Sequence, residues 1–486
     1  MALRARLTPP RETKTDWPWH KVKSSSLRAS LLFGGGRRME AENFLASGFG
    51  TRLSIESKSS GWGQLSEKAR TWQPSRLKGI QVSADFGTPF LAATQVFDVR
   101  PIPRKWLSLN RTADHAERFV KHGTILVTCS GSVGRATLAH SSIDGILVSH
   151  DLLRIDAIDP SWRGWVYAYL RAPSVRDMMM AAQYGHIIKH LETHHLDALP
   201  LIEPSNAKML ADCNDGFDQV IACRNSARKK MEEAEAAFGG NFGNTAGADD
   251  EAAFVRRASD CLFGNRRRFD AWSHNPQKSE IETRLRKGAS SWTSLRDAKC
   301  DVWLPNRFKR VPAEDGVSLI DSSQIFEINP DYARRISAAG IADKNNGYVK
   351  PGWLMMSRSG QVYGLLGSVA IATEQHEGKV VSDDVIRIAA GDTIAPGYLY
   401  VAMSHPELGR PRTKSLAYGS SIPHIEVEDL KDFAVPRLEA EKEKHIASLA
   451  EEAFSLWAKA DEVENELAEL AEAEIERFLR GKGHSS

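Results

Sequence analysis

The sequence predicts an α+β protein built from two tandem units, each closed by a long helix. Three observations carry this: a stretch that recurs at a constant offset, an apolar period that changes after each copy, and a length too great for one core. The stretch Gly123-Thr124-Ile125-Leu126-Val127-Thr128-Cys129-Ser130-Gly131, followed by Ile146 to Ile155, returns as Gly352-Trp353-Leu354-Met355-Met356-Ser357-Arg358-Ser359-Gly360, followed by Val380 to Ile388. Gly87 to Pro101, with Gln95, Val96 and Phe97, matches Gly316 to Pro330, with Gln324, Ile325 and Phe326, at the same offset of 229. Upstream, Pro74, Arg76 and Lys78 match Pro305, Arg307 and Lys309; downstream, Tyr184-Gly185 and His190 match Tyr418-Gly419 and His424. Small loop insertions account for the few residues of drift.

At 486 residues, two units of about 200 residues suit usual domain sizes. A hydrophobic fraction of 42% beside 26% charge is ordinary for a globular chain, and no apolar run approaches the ~18 residues of a membrane span. The net charge of +2 hides an uneven distribution. Five cysteines, scattered and without a Cys-x-x-Cys pair, argue against a disulfide framework or a zinc site and suit a reducing cytoplasm.

Residues 1–41 are basic and carry Pro9-Pro10 and Gly34-Gly35-Gly36, which predicts a loosely ordered arm without the apolar segment of a signal peptide. Residues 42–204 mix short β-rich runs, such as Thr124 to Val127 and Leu152 to Ile155, with helical patterns at Trp162 to Leu170 and Val175 to Gln183. The turn Cys129 to Gly134 separates two apolar runs, and its glycines form no phosphate loop because no Gly-Lys-Ser/Thr follows.

After Pro204 the period changes. Leu210, Cys213, Phe217, Val220, Arg224, Ala227, Met231, Ala234 and Phe238 step by three and four, predicting one long helix over 205–238 with a coiled-coil seam. Arg224 is the only charged residue on that seam, a type of intruder that fixes register. Residues 239–253 open with Gly239-Gly240 and read as linker. The second unit, 254–437, begins basic, with Arg256-Arg257 and Arg266-Arg267-Arg268. A second long helix over 438–480 carries a seam at Ile446, Leu449, Ala453, Leu456, Ala460, Val463, Leu467 and Leu470, leaving 481–486 as a tail. Its acids, among them Glu443, Asp461, Glu464 and Glu474, would repel DNA and are expected to face protein or solvent.

Several motifs have a chemical and a plain reading. His186, His190 and His194 fall four apart, but repeat two has Ser420, His424 and Glu428 there, so metal is disfavoured. Asp159-Pro160-Ser161-Trp162 and Phe33-Gly34-Gly35-Gly36 fall short of methyltransferase motifs, and Glu377-Gly378-Lys379 lacks the upstream acid of a nuclease site. Asp151 and Asp384, with Arg154 and Arg387 three residues later, read as a repeated structural turn with a local ion pair. No nucleophile is matched with a base, so the chain itself is expected to be non-catalytic, without metal or cofactor.

With these residues in place, the chain resembles the specificity subunits of type I restriction-modification systems. The resemblance is carried by Gly123 to Gly131 and Gly352 to Gly360, and by the endings Leu196-Asp197-Ala198-Leu199-Pro200-Leu201 and Leu430-Lys431-Asp432-Phe433-Ala434-Val435-Pro436, each leading into a helix. It implies two target-recognition domains separated by an antiparallel pair of the long helices, each domain reading half of a split double-stranded DNA site. It also implies partners that do the chemistry: two methyltransferase subunits using S-adenosylmethionine, and a motor-nuclease subunit using ATP. At 1.5 Å rise per residue, about 33 helical residues span roughly 50 Å, more than one DNA turn of about 34 Å.

The candidate DNA-binding residues are Arg76, Lys78, Arg104, Lys105, Arg111, Arg135 and Lys189 in unit one, and Arg307, Lys309, Arg310, Arg358, Gln361, Arg412 and Lys414 in unit two. Arginine and glutamine read guanine and adenine edges, whereas lysine mostly neutralises phosphate. Two other classes fit part of the pattern: a DNA methyltransferase or nuclease in its own right, and a scaffold that binds no DNA.

Overall fold

The computed structural model describes residues 27–34, 40–77, 79–110, 115–183, 189–243, 254–262, 268–330, 332, 334–341, 347–361, 364–419 and 421–481. It is mixed α/β, and the two halves carry the same antiparallel four-stranded sheet. In unit one the order is Ala69–Trp72, Leu152–Ala157, Ile125–Thr128, Ala136–Leu138; in unit two it is Asp301–Trp303, Val385–Ala389, Leu354–Ser357, Val369–Ile371. The runs Ile125-Leu126-Val127 and Leu354-Met355-Met356 are apolar without alternation because every residue in them is buried. A second sheet in each unit holds one parallel pair at matching positions, Leu91 beside Val148 and Ile320 beside Val381.

The largest step in the drift of the repeat falls in one loop. Gly134 donates to the carbonyl of Thr128, and Gly367 to that of Ser357. Both glycines have positive φ, 81° and 70°, which makes them equivalent turn residues. The offset is therefore 229 from Gly87 to the Ser-Gly turn and 233 from Gly134 to Val148, and four extra residues of unit two lie within that one loop.

The expected ion pair between Asp151 and Arg154 does not form, and neither does its counterpart between Asp384 and Arg387. Asp151 accepts from Ser149 Oγ at 2.9 Å and Asp384 from Ser359 Oγ at 3.0 Å, while both arginines turn inward to backbone carbonyls. A carboxylate at the turn surface can be hydrated; the carbonyls behind the sheet cannot, and they take the guanidinium.

The long helices run Ala207–Gly239 and Ala440–Leu479. Gly216 faces Leu467, Arg224 pairs with Asp461, and Lys230 pairs with Glu452 at 2.6 Å, so the helices are antiparallel. Cys213, Phe217, Val220 and Ile221 join Val463, Leu467, Ala471 and Ile475 in the core of unit one. Ala227, Met231, Ala234 and Phe238 join Ile446, Leu449, Ala453 and Trp457 in the core of unit two. Each unit thus rests on the start of one long helix and the end of the other. Leu210, Leu456 and Leu470 lie at the margin of these cores, half-buried. Close docking needs a missing side chain: a methyl on Gly164 would fall 2.3 Å from the backbone of Cys213, and one on the equivalent Gly397 would fall 2.5 Å from the carbonyl of Ala447.

Not all of the acids of the second helix face outward. Asp461, Glu464, Glu443 and Glu474 are buried. Glu443 takes Arg437 at 2.7 Å and Glu474 takes Arg477, while Asp461 and Glu464 hold the buried Arg224. Glu464 also accepts from Tyr167 at 2.6 Å and from Asn329 at 3.0 Å. Burial opposes the charge on Arg224, but the two carboxylates outweigh it and raise its pKa. Burial likewise pushes Glu464 up, and the guanidiniums of Arg171 and Arg224 bring it below the ordinary carboxylate value.

The two units also touch. Asp98 and Glu327, equivalent positions at the offset of 229, face each other in an antiparallel bridge. Val99 donates to the carbonyl of Phe326 at 2.8 Å, and Ile328 donates to that of Phe97 at 2.6 Å. The bridge is an approximate twofold relation between the halves. Arg224 donates to the carbonyl of Trp457 at 3.5 Å near the midpoint of the helix pair.

Candidate nucleic-acid interface

One end of the four-stranded sheet gathers the segments with exposed cations and the Ser-Gly turn. In unit one, strand Ala69–Trp72 leaves the sheet there toward Arg76, strand Ile125–Thr128 leaves toward Ser130-Gly131, and strand Leu152–Ala157 enters after His150. Gln73 donates to the carbonyl of His150 at 2.7 Å, laying the 73–76 segment across this turn. Ser130 and Ser359 then make equivalent bridges to His190 and His424, which places Lys189 beside the Ser-Gly turn. Burial pushes the His150 imidazole down, and the cations of Arg76, Arg118 and Arg154 push it further against the opposing pull of Asp151.

Arg76, Arg307 and Lys309 are exposed at this end, as is Gln361, which reaches the carbonyl of Ser421 at 3.4 Å. Arg310 is also exposed but bonds Asp383 and, at 3.0 Å, Ser382 Oγ. Arg358 is half-buried between Asp384 at 3.6 Å and Glu426 at 3.1 Å. Lys105 is exposed on the second sheet, where it starts strand Lys105–Ser108. Lys78 and Arg111 lie outside the described residues, as do His186 and Ser420.

Four candidates stand elsewhere. Arg135 pairs with Glu327 of the other unit at 2.8 Å and stacks over Phe97 at 4.1 Å. Arg412 is buried, donates to the carbonyl of Ala434 and lies over Phe433 at 4.5 Å; burial holds its guanidinium down to about 10, still charged at neutrality. It supports unit two from inside and cannot reach a ligand. Arg104 and the half-buried Lys414 line a cavity of about 290 Å³ between the units. Arg104 stands 3.8 Å from Asp98, and burial, with Arg410 and Arg104 nearby, lowers Lys414 to about 8.

Sequence reasoning missed Gln73 and His150, whose signal is their place on either side of a sheet end shared with the Ser-Gly turn. The equivalent positions of the units differ in chemistry: Ser132 against Gln361, both exposed, His150 against Asp383, Lys189 against the buried Pro423, and the buried Cys129 against the half-buried Arg358. The frame is repeated, and its presented groups are not.

The catalytic near misses have structural roles. Asp159 caps a helical turn by accepting from the Ser161 amide at 2.9 Å, and Lys379 lies over the Tyr332 ring at 4.4 Å. Among the described residues, no group of three or more His, Cys, Asp or Glu side chains could hold a metal ion, and no helix is long and apolar enough to cross a membrane. The five cysteines are free thiols.

No protein-family profile matches the chain, and no curated protein matches it. Solved structures similar to it include type I restriction-modification specificity subunits. That of M. genitalium is 14% identical, covering 87% of this chain and 96% of its own at a TM-score of 0.28. The HsdS subunit of Thermoanaerobacter tengcongensis is 13% identical, covering 87% and 98% at 0.26. The type IIG restriction endonuclease BpuSI is 10% identical over 40% of this chain and 30% of its own, at 0.28.

Proposed function

We propose that this chain is the DNA-reading specificity subunit of a type I-like restriction-modification complex. The observation that supports it best is the repeated sheet end: the same three segments meet around a Ser-Gly turn in each unit, yet present Ser132 and His150 in one and Arg358 and Gln361 in the other. A frame used twice with different side chains suits two half-sites of different sequence. Exposed Arg76, Arg307 and Lys309 supply phosphate contacts beside it.

In this reading each unit is a target-recognition domain and the helices are the spacer between them. Two methyltransferase subunits dock on the complex, with exposed acids such as Glu451, Glu462 and Glu469 offering them a charged face. S-adenosylmethionine and ATP belong to the methyltransferase and motor-nuclease partners, this chain transfers no methyl group itself, and the assembly works in the cytoplasm against foreign DNA. Selection of duplexes from a randomised pool by the full chain tests the reading, with methylome sequencing of a host carrying the chain and its partner genes. A split motif with a fixed unread spacer is the expected result. Binding without sequence preference, or methyl transfer by the pure chain, would refute it.

A further inference from the structure

We infer that the rotation of one unit against the other, and with it the half-site spacing the chain accepts, is set by a clasp at the Asp98–Glu327 bridge, with Arg135 as its positioning residue. The inference rests on the DNA-reading proposal above.

The clasp is built from both units and anchored to both helices. Its two backbone hydrogen bonds, from Val99 and from Ile328, cross between the units in opposite directions. Ile328 is buried in a cluster of unit one with Leu91, Val96 and Phe97. Arg135 closes the bridge from the side, bonding Glu327 at 2.8 Å with both side chains only 15% exposed. The next residues tie it down: Asn329 donates to Asp461 and Glu464 of the second helix, and Arg100 bonds Glu235 of the first and, at 3.3 Å, the carbonyl of Ser404.

A helix pair fixes a distance well and a rotation less well, because each unit is packed on it along one side. One base pair added to a DNA spacer moves a half-site by about 3.4 Å and also turns it by roughly 35°. Spacer length is thus discriminated mainly through rotation, and rotating one unit would break the bridge bonds and expose a shielded ion pair. Arg135 has no mirror image, since the equivalent position of unit two is Ser368, so one side chain governs the lock.

The test uses the full chain, its selected split duplex, and spacers one and two base pairs longer and shorter. Wild type should favour the native spacer by about tenfold. Arg135→Ala and Glu327→Gln should bind the native spacer within about threefold of wild type while discrimination falls to about threefold, and Arg135→Lys should restore most of it. Hydrogen exchange at the Val99 and Ile328 amides should quicken by about tenfold or more in Arg135→Ala. Unchanged spacer discrimination in both clasp variants overturns the inference, whatever the amides do. A wild-type chain that selects no split motif removes the DNA-reading proposal and this inference together, whereas a split motif with unaltered discrimination in the variants removes the inference alone.

Discussion

Arg154 and Arg387, the same position of the two units, are buried and bonded alike. Each guanidinium donates to the carbonyl two residues before it and to the carbonyl six before it, Leu152 and Val148 in one unit, Val385 and Val381 in the other. The six-residue reach straps the short parallel strand to the four-stranded sheet. Burial pulls the two groups down to about 10 and about 9, so both stay charged at neutral pH and bring a permanent donor to carbonyls that water cannot reach.

Replacing either arginine should therefore cost about 3 kcal/mol, through carbonyls left without a partner. Urea unfolding followed by tryptophan fluorescence measures it. Arg154→Lys and Arg387→Lys should recover little, because a single ammonium cannot present a fork to two carbonyls. A lysine variant as stable as wild type would contradict the strap.

Arg224 is held by Asp461 and Glu464, with the second oxygen of Glu464 taken by Tyr167. Arg224→Ala leaves two buried carboxylates facing each other and should cost on the order of 3–5 kcal/mol. The double replacement Arg224→Met, Asp461→Leu should be far milder than the single one, since the remaining Glu464 keeps Arg171, Tyr167 and Asn329 as partners and no charge is then stranded. Equal losses in the single and double variants, by equilibrium denaturation, would disprove this.

Asp98 sits at the clasp with its carboxyl pushed up to about 7, first by burial and then by Glu327, against the opposing pull of Arg104 and Arg410. The folded chain keeps a proton that the unfolded chain releases near 3.8, so this group subtracts stability as pH rises from about 4 to about 7, and the loss is complete above that. Asp98→Asn should therefore stabilise the protein at pH 8 by ~3 kcal/mol and not at pH 4. Denaturant midpoints at the two pH values decide it; a variant less stable than wild type at pH 8 would show that the Arg104 contact dominates.

Arg307→Ala with Lys309→Ala should weaken duplex binding about equally for all sequences and reduce the slope of log affinity against log salt by about one for each phosphate no longer neutralised. Arg412→Ala should instead destabilise unit two, because that guanidinium bonds Ala434 and packs on Phe433. Salt titrations on the folded variants separate the two. An unaltered slope in the double variant would remove these residues from the interface.

The duplication was legible because it is written as an offset, and the long helices because three-four stepping of apolar residues has few other uses. The contact between the halves was not. An offset says that Gln95 to Phe97 and Gln324 to Phe326 are alike; it does not say that the segments following them pair. Nor does sequence reveal which cations are already committed. Arg135 finds its carboxylate 192 residues away and Arg412 is sealed under Trp292 and Phe433, while Arg76 and Arg307 look no different in the chain and remain exposed. The buried acids were hidden in the same way: Asp461 and Glu464 sit among glutamates such as Glu451, Glu462 and Glu469 that face water, and the partners that draw them inward, Arg224, Arg171 and Tyr167, are far away in the chain.

The absence of a counterpart to Arg135 bears on how such a chain can change over generations. Two identical polypeptides meeting in this way would bring the same residue to both sides; within one chain the two positions are free to differ, and they hold arginine on one side and serine on the other. Recombination that imports a foreign second half would then set Arg135 against whatever stands in place of Glu327. Only donors carrying an acid there would yield a chain with its halves in the inherited orientation, so the repertoire of viable hybrids is filtered by a residue that stands outside the proposed reading surface.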